Sequence, residues 1–153
     1  MHIKQMFKKQ KIARMLNPKD WICEKSRLVH ITTHLYNGEK FFLNNDIARY
    51  VKVTMFKIAA MNNIDILKVG CDYTHCHFLI NQDPDQDLRK MVNILKGKTS
   101  REVRKRYYWL NEFSHFWAKG FYVTFYKESK KEKVFKYISN QTRELQEANV
   151  PPL

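Results

Sequence analysis

The chain has 153 residues, 44% of them hydrophobic and 14% aromatic, which is enough apolar material to bury one core and too much for a disordered chain. Its 28 Lys+Arg against 15 Asp+Glu give a net charge of +13; the excess sits in residues 1–27 and 96–136, whereas 28–95 is balanced, and localised basic surface suits a polyphosphate partner. Three cysteines, Cys23, Cys71 and Cys76, form no disulfide ladder and fit a reducing cytoplasm. No apolar run is long enough to span a bilayer.

Residues 1–27 read as a helix or loose basic arm; they lack the serine enrichment of a transit peptide. "RLVHITTHLYNG" reads as a strand ending at Asn37-Gly38, a pair that suits a tight hairpin loop, with "FFL" as a brief return. Asn44 or Asn45 caps a helix through "DIARYVKVTMFKIAAM", where Ile47, Val51, Met55 and Ile58 recur at helical spacing. "IDILKVGC" and "THCHFLINQ" are strands joined by so few residues that they must pair antiparallel. "DPDQDLRKMVNILKG" predicts a helix stopped at Gly97. "TSREVRKRYYWL" predicts a second one, with Thr99 and Glu102 at capping-box spacing. "HFWAKGFYVTFY" is an aromatic strand, and "SKKEKVFKYISNQTRELQEA" a final amphipathic helix before Pro151 and Pro152. The order β-α-β-β-α-β-α predicts one α+β domain, an antiparallel sheet with helices on one face.

Within "THCHFLI", side chains two apart share a strand face. His75 and His77 therefore converge and are able to bind one metal ion, although two packed histidines would read the same way. A zinc site using Cys71 and Cys76 fails on geometry, because Cys76 points to the opposite face. On the last helix, Tyr137 and Gln141 lie one turn apart. The Gln141 carbonyl oxygen is a potential third ligand and the Tyr137 phenol a potential nucleophile. Lys96, Lys98, Arg101, Arg104, Lys105 and Arg106 run into Tyr107, Tyr108 and Trp109, the cation–aromatic mixture that suits single-stranded nucleic acid. Lys127, Lys130, Lys131, Lys133 and Lys136 precede Tyr137 closely enough to hold a phosphate near it.

Taken in order, "HCHFLI", "LKGKTSREVRKR", "HFWAKGFYV" and "YISNQ" resemble the blocks of the single-tyrosine HUH transposases of the insertion-sequence 200/605 type. The resemblance covers roughly residues 25 to 147. Phe78 stands where leucine is common, and Lys119 stands where arginine is usual; lysine cannot make the two-pronged phosphate contact. The division implied is a basic extension over 1–24, one domain over 25–148 and a short tail over 149–153.

The resemblance implies a ferredoxin-like, RRM-like antiparallel sheet with packed helices and a C-terminal helix carrying the nucleophile. It implies Tyr137 as the catalytic residue and His75, His77 and Gln141 as ligands of a divalent metal ion, Mg2+ or Mn2+, with no need for ATP. Lys96, Lys98, Arg101, Arg104, Lys105, Arg106, Lys119, Lys133 and Lys136 are the expected DNA contacts. The implied activity is cleavage and rejoining of single-stranded DNA at insertion-sequence ends through a 5′-phosphotyrosine, by a cytoplasmic homodimer acting on hairpin-bearing ends. Two other readings remain open on sequence: a non-catalytic single-strand binder that uses the aromatic strand as a stacking platform, and a related single-tyrosine relaxase or replication initiator.

Overall fold

The structure, a computed structural model, describes residues 10–149, with side chains described for residues 10–140. Five strands form one antiparallel sheet: β1 Lys11–Ile12, β2 Arg27–His34, β3 Asp65–Cys71, β4 His75–Gln82 and β5 Tyr122–Tyr126, in the order β1-β5-β2-β4-β3. Three helices are α1 Asn45–Met61, α2 Leu88–Arg106 and α3 Lys131–Asn149. β2 is the central strand, paired with β5 on one side and β4 on the other, and Leu28 through Thr33 are all buried.

Alternation along the strands separates two faces. Val29 and Ile31 of β2, with Cys76, Phe78 and Ile80 of β4, meet Ile47, Val51 and Met55 of α1 and Leu88, Val92 and Leu95 of α2 in the main core. The opposite face contributes Leu28 and Leu79, and these pack under Val134 and Ile138 of α3. Helices therefore cover both faces, where the sequence suggested one. α3 rests on the second face through Val134 and Ile138, which bury Leu28 and Leu79.

Three local expectations are corrected. Residues 10–23 form neither a continuous helix nor a loose arm: β1 pairs with β5, two short 3-10 turns follow at Ala13–Met15 and Pro18–Trp21, Ala13 N donates to Phe121 O at 2.8 Å, and Ala13 and Leu16 are buried. Residues 1–9 lie outside the described region. Asn37 and Gly38 do adopt the positive φ values their pair favours, 52° and 68°, but the chain runs on through a short 3-10 turn at Phe41–Leu43 rather than returning as a strand. Both edges of β2 are already taken by β4 and β5, so a local hairpin has no edge left to join. Gly97 does not stop the helix either. Leu88, Met91, Val92, Leu95, Thr99 and Val103 form one buried stripe through it, and the burial outweighs the roughly 1 kcal/mol propensity cost of one glycine. The side chains of Asn44 and Asp87 cap α1 and α2, accepting from the N–H groups of Asp46 and Ile47 and of Lys90 respectively.

The three cysteines are free and buried. Cys76 faces the core, with its Sγ 3.9 Å from both Cys71 Sγ and Met55 Sδ, on the face away from His75 and His77.

Candidate active site

The β2–β4 register places Thr32 opposite His77 and His34 opposite His75. His30, Thr32 and His34 therefore share the face of His75 and His77, and four histidines gather where the sequence had singled out two. "HITTH" already held the signal, since residues two and four apart lie on one face of a strand. Nothing local said which strand would lie beside it.

The rings are in contact. His30 and His77 stack at 5.1 Å between centroids with planes 5° apart, and His34 stacks on His75 at 5.3 Å. His75 and His77 meet edge to face at 4.7 Å. His77 Nδ1 lies 3.0 Å from His30 Nε2 and 3.2 Å from Thr32 Oγ1, which in turn accepts from Gln10 Nε2 at 2.7 Å. Burial holds the pKa of His77 well below the ordinary imidazole range and lowers that of His30 to about 3, so both rings are neutral at pH 7. The far nitrogen of His77, Nε2, is buried and has no hydrogen-bond partner among the described residues.

His75 sits nearer the edge. Thr74 Oγ1 lies 3.2 Å from its Nδ1 and Asp72 Oδ2 3.4 Å from its Nε2. Burial lowers its pKa, and the Asp72 carboxylate opposes that shift. Gly70 of β3 stands opposite His77, so no β3 side chain flanks that ring.

α3 completes the cluster from above. Val134 and Ile138 anchor it to Leu28 and Leu79, and Tyr137 between them turns its ring edge-on to His77 at 5.4 Å and 86°, and to His30 at 6.4 Å. α3 thus packs on its own chain's sheet, with Tyr137 beside its own His77. Gln141 lies one turn further along α3, and its side chain falls outside the described residues.

The fit of a divalent metal can be judged from the donors. An imidazole whose inner nitrogen is tied to a neighbour and whose outer nitrogen is left bare is the usual form of a metal-binding histidine. His77 has this form, and His75 is beside it. Among the described residues no group of three His, Cys, Asp or Glu side chains is arranged to hold a metal.

The expected basic contacts are spread over three regions. Lys98, Arg101, Lys105 and Arg106 are exposed on α2, with Arg106 over the Tyr50 ring at 5.0 Å. Arg101, Arg104 and Lys105 line an open hollow of about 620 Å³ with Tyr108 and Asn111. Arg104 also donates to Phe113 O at 2.9 Å. Lys96 turns inward instead: its ammonium donates to Ala118 O at 2.9 Å and Gly120 O at 2.7 Å, and burial lowers its pKa to about 8. Lys119 is exposed in the loop so held, and Lys133 and Lys136 are exposed on α3. Trp117 is a core residue that donates to Lys96 O, whereas Trp109 is 47% exposed and Tyr108 81%.

An antiparallel sheet with two helices on one face, and on the other a histidine cluster under a tyrosine-bearing helix, defines a class of α+β protein. Residues 24–141 match the profile of the family described as "Transposase IS200 like", and the chain belongs to that family. It is similar to the ISDra2 transposase TnpA of Deinococcus radiodurans, 26% identical over 102 residues, covering 65% of this chain and 73% of that protein. A transposase-assigned crystal structure from Deinococcus radiodurans R1 superposes with a TM-score of 0.62 at 19% identity, over 76% of this chain and 91% of that one. The structure of a REP-associated tyrosine transposase bound to a REP hairpin gives 0.57 at 14% identity, over 89% and 76%. The α+β architecture is thus that of transposase structures, and among the described residues no helix is long and apolar enough to cross a membrane.

Proposed function

We propose that this transposase cleaves and rejoins single-stranded DNA at insertion-sequence ends by transesterification, with Tyr137 as nucleophile. One observation carries the reading: the Tyr137 ring lies edge-on to His77, whose buried Nε2 has no partner among the described residues. His75, His77 and Gln141 would hold Mg2+ or Mn2+, which when bound withdraws charge from a non-bridging phosphate oxygen. His30 and Thr32 fix the His77 ring through Nδ1, so that its Nε2 lone pair faces the reacting side. Tyr137 Oη forms a bond to phosphorus while the bond to the 3′ oxygen breaks. The proton lost by the phenol is balanced by the one gained by the departing 3′-hydroxyl.

The product is a 5′-phosphotyrosine that keeps the phosphoester energy, so no ATP is required. A 3′-hydroxyl from another strand reverses the step and joins new DNA. Lys133 and Lys136, exposed on the tyrosine helix, supply positive charge beside the phosphate. Hairpin-bearing DNA as the substrate is supported by the hairpin in the REP-associated relative. The working form on this reading is a homodimer.

The test is incubation with single-stranded insertion-sequence end DNA and Mn2+ or Mg2+. A covalent protein–DNA adduct forms with the native chain and is lost in Tyr137→Phe. An adduct that persists in Tyr137→Phe removes the nucleophile assignment, and cleavage that survives EDTA removes the metal.

A further inference from the structure

Residues 10–23 lie outside the family match, yet Lys11 and Ile12 within them join the sheet beside β5. β1 extends β5, and Ile12 stands opposite Tyr122. The chain then turns through Ala13–Met15 and Pro18–Trp21, held by Gln82 Nε2 donating to Trp21 O at 2.8 Å and Arg27 donating to Asp20 O at 2.6 Å. This segment walls one side of a cleft of about 530 Å³; Arg89 and Asn93 of α2 and the Lys119–Phe121 loop wall the other. The volume is that of a site for one drug-sized ligand, roughly 300–1,000 Å³.

The chemistry of the cleft is one-sided. Arg14, Arg89 and Lys119 line it, and among the described residues no carboxylate does. All three are exposed, and among the described residues none forms an ion pair. Arg89 lies over the Trp21 ring at 6.0 Å, and Trp21 packs against the buried Phe121 at 6.1 Å, so one half-buried aromatic ring lies beside the cations. Gly120, at φ 77°, makes the tight turn that presents Lys119, and Lys96 pins that turn through the carbonyls of Ala118 and Gly120.

The cleft also leads somewhere. A second, smaller recess of about 70 Å³ shares Arg14, Lys119, Gly120 and Phe121 with it and adds His34 and Tyr122. His34 stacks on His75 and meets Tyr122 edge to face at 5.3 Å. The cationic lining of Arg14 and Lys119 therefore continues from the cleft into the recess at His34, which stacks on His75 of the histidine cluster.

We propose that this cleft, built by the N-terminal segment, binds the sugar–phosphate backbone of the single strand flanking the cleaved phosphate. Arg14, Arg89 and Lys119 pair with phosphates, and Trp21 offers a ring to an unstacked base. The proposal rests on the transposase reading for the identity of the strand, but its test reads binding alone.

The probe is a fluorescein-labelled single-stranded oligonucleotide of insertion-sequence end sequence, titrated by anisotropy with the full chain across a range of salt concentrations. For single strands each lost phosphate contact lowers the salt slope by about 0.7, or about fivefold in affinity at 0.1 M salt. The double variant Arg14→Gln/Arg89→Gln should bind about 25-fold more weakly with a slope reduced by about 1.4, and Arg14→Gln alone by about fivefold. Lys25→Gln, which removes a charge from an exposed position outside the cleft, should bind as the native chain does. Arg14 is solvent-exposed, so its single variant should melt as the native chain does and keeps the test valid if the double variant is less stable.

Native affinity and slope in both Arg variants overturn the proposal, as does an equal loss in Lys25→Gln. If the native chain forms the Tyr137 adduct while the Arg variants bind normally, the cleft assignment falls and the transposase chemistry stands. If no adduct forms while the Arg variants lose affinity, the chemistry falls and the cleft stands as a single-strand site.

Discussion

Replacing His30 with glutamine should flatten the acid side of the stability curve. His30 is fully buried, and its pKa is lowered from the ordinary 6.5 to about 3 by burial. A base with a depressed folded-state pKa stays neutral when folded, whereas the unfolded chain takes up a proton below pH 6.5. The unfolded state then binds more protons, and stability falls as pH drops from 6.5 toward 3. Between pH 7.5 and pH 5 this one ring contributes about 2 kcal/mol of that loss. His77 adds to it in the same direction, since burial and the neighbouring rings hold its pKa down too. Glutamine retains a donor and an acceptor near His77 Nδ1 but does not titrate. Urea unfolding of both proteins at pH 7.5 and pH 5, in EDTA, gives the comparison. The native chain should lose about 2 kcal/mol more than His30→Gln over that interval. Parallel losses would show that His30 is charged or solvated in the folded chain and refute the neutral, hydrogen-bonded pair.

Other outcomes follow from single contacts. Lys96→Met should lower stability by about 1–3 kcal/mol in urea unfolding, because the carbonyls of Ala118 and Gly120 lose the ammonium that caps them. Asn44→Ala removes the side-chain acceptor for two N–H groups at the start of α1 and should cost about 1 kcal/mol by the same measurement. Cys23, Cys71 and Cys76 are all buried, and burial raises the thiol pKa of Cys23 and Cys76. All three should therefore react slowly with a thiol reagent in the native chain and at once in denaturant, and fast labelling of Cys76 in native buffer would place it on the wrong face.

How far the site could be read from the sequence depended on how local each feature was. The alternation in "THCHFLI" put His75 and His77 on one face, and the helical spacing of Val134 and Ile138 put Tyr137 at the edge of an apolar stripe, because both are periodicities of a single element. The cap of α1 was legible as Asn44 or Asn45, and the structure selects Asn44. Lys96 was not: as part of a basic run it reads like its exposed neighbours, and only the return of the 118–120 loop over α2 gives its ammonium two carbonyls.

The amino-acid sequence by itself therefore determined β2, β3, β4 and α1, the paired imidazoles and the helix that bears Tyr137, but neither β1 nor the continuity of α2 through Gly97. The tertiary structure decided what lies beside them. Pairing Thr32 with His77 is a contact between residues 45 positions apart, and no periodicity within either strand encodes it. That one register brought His30 and His34 into the cluster. Likewise α1 and α2 filled one face of the sheet, which left the histidine face as the remaining apolar surface for α3 and so set Tyr137 against His77. The N-terminal segment joined the sheet for a similar reason: the outer edge of β5 was unpaired, and β1 supplies the hydrogen bonds that edge would otherwise lack.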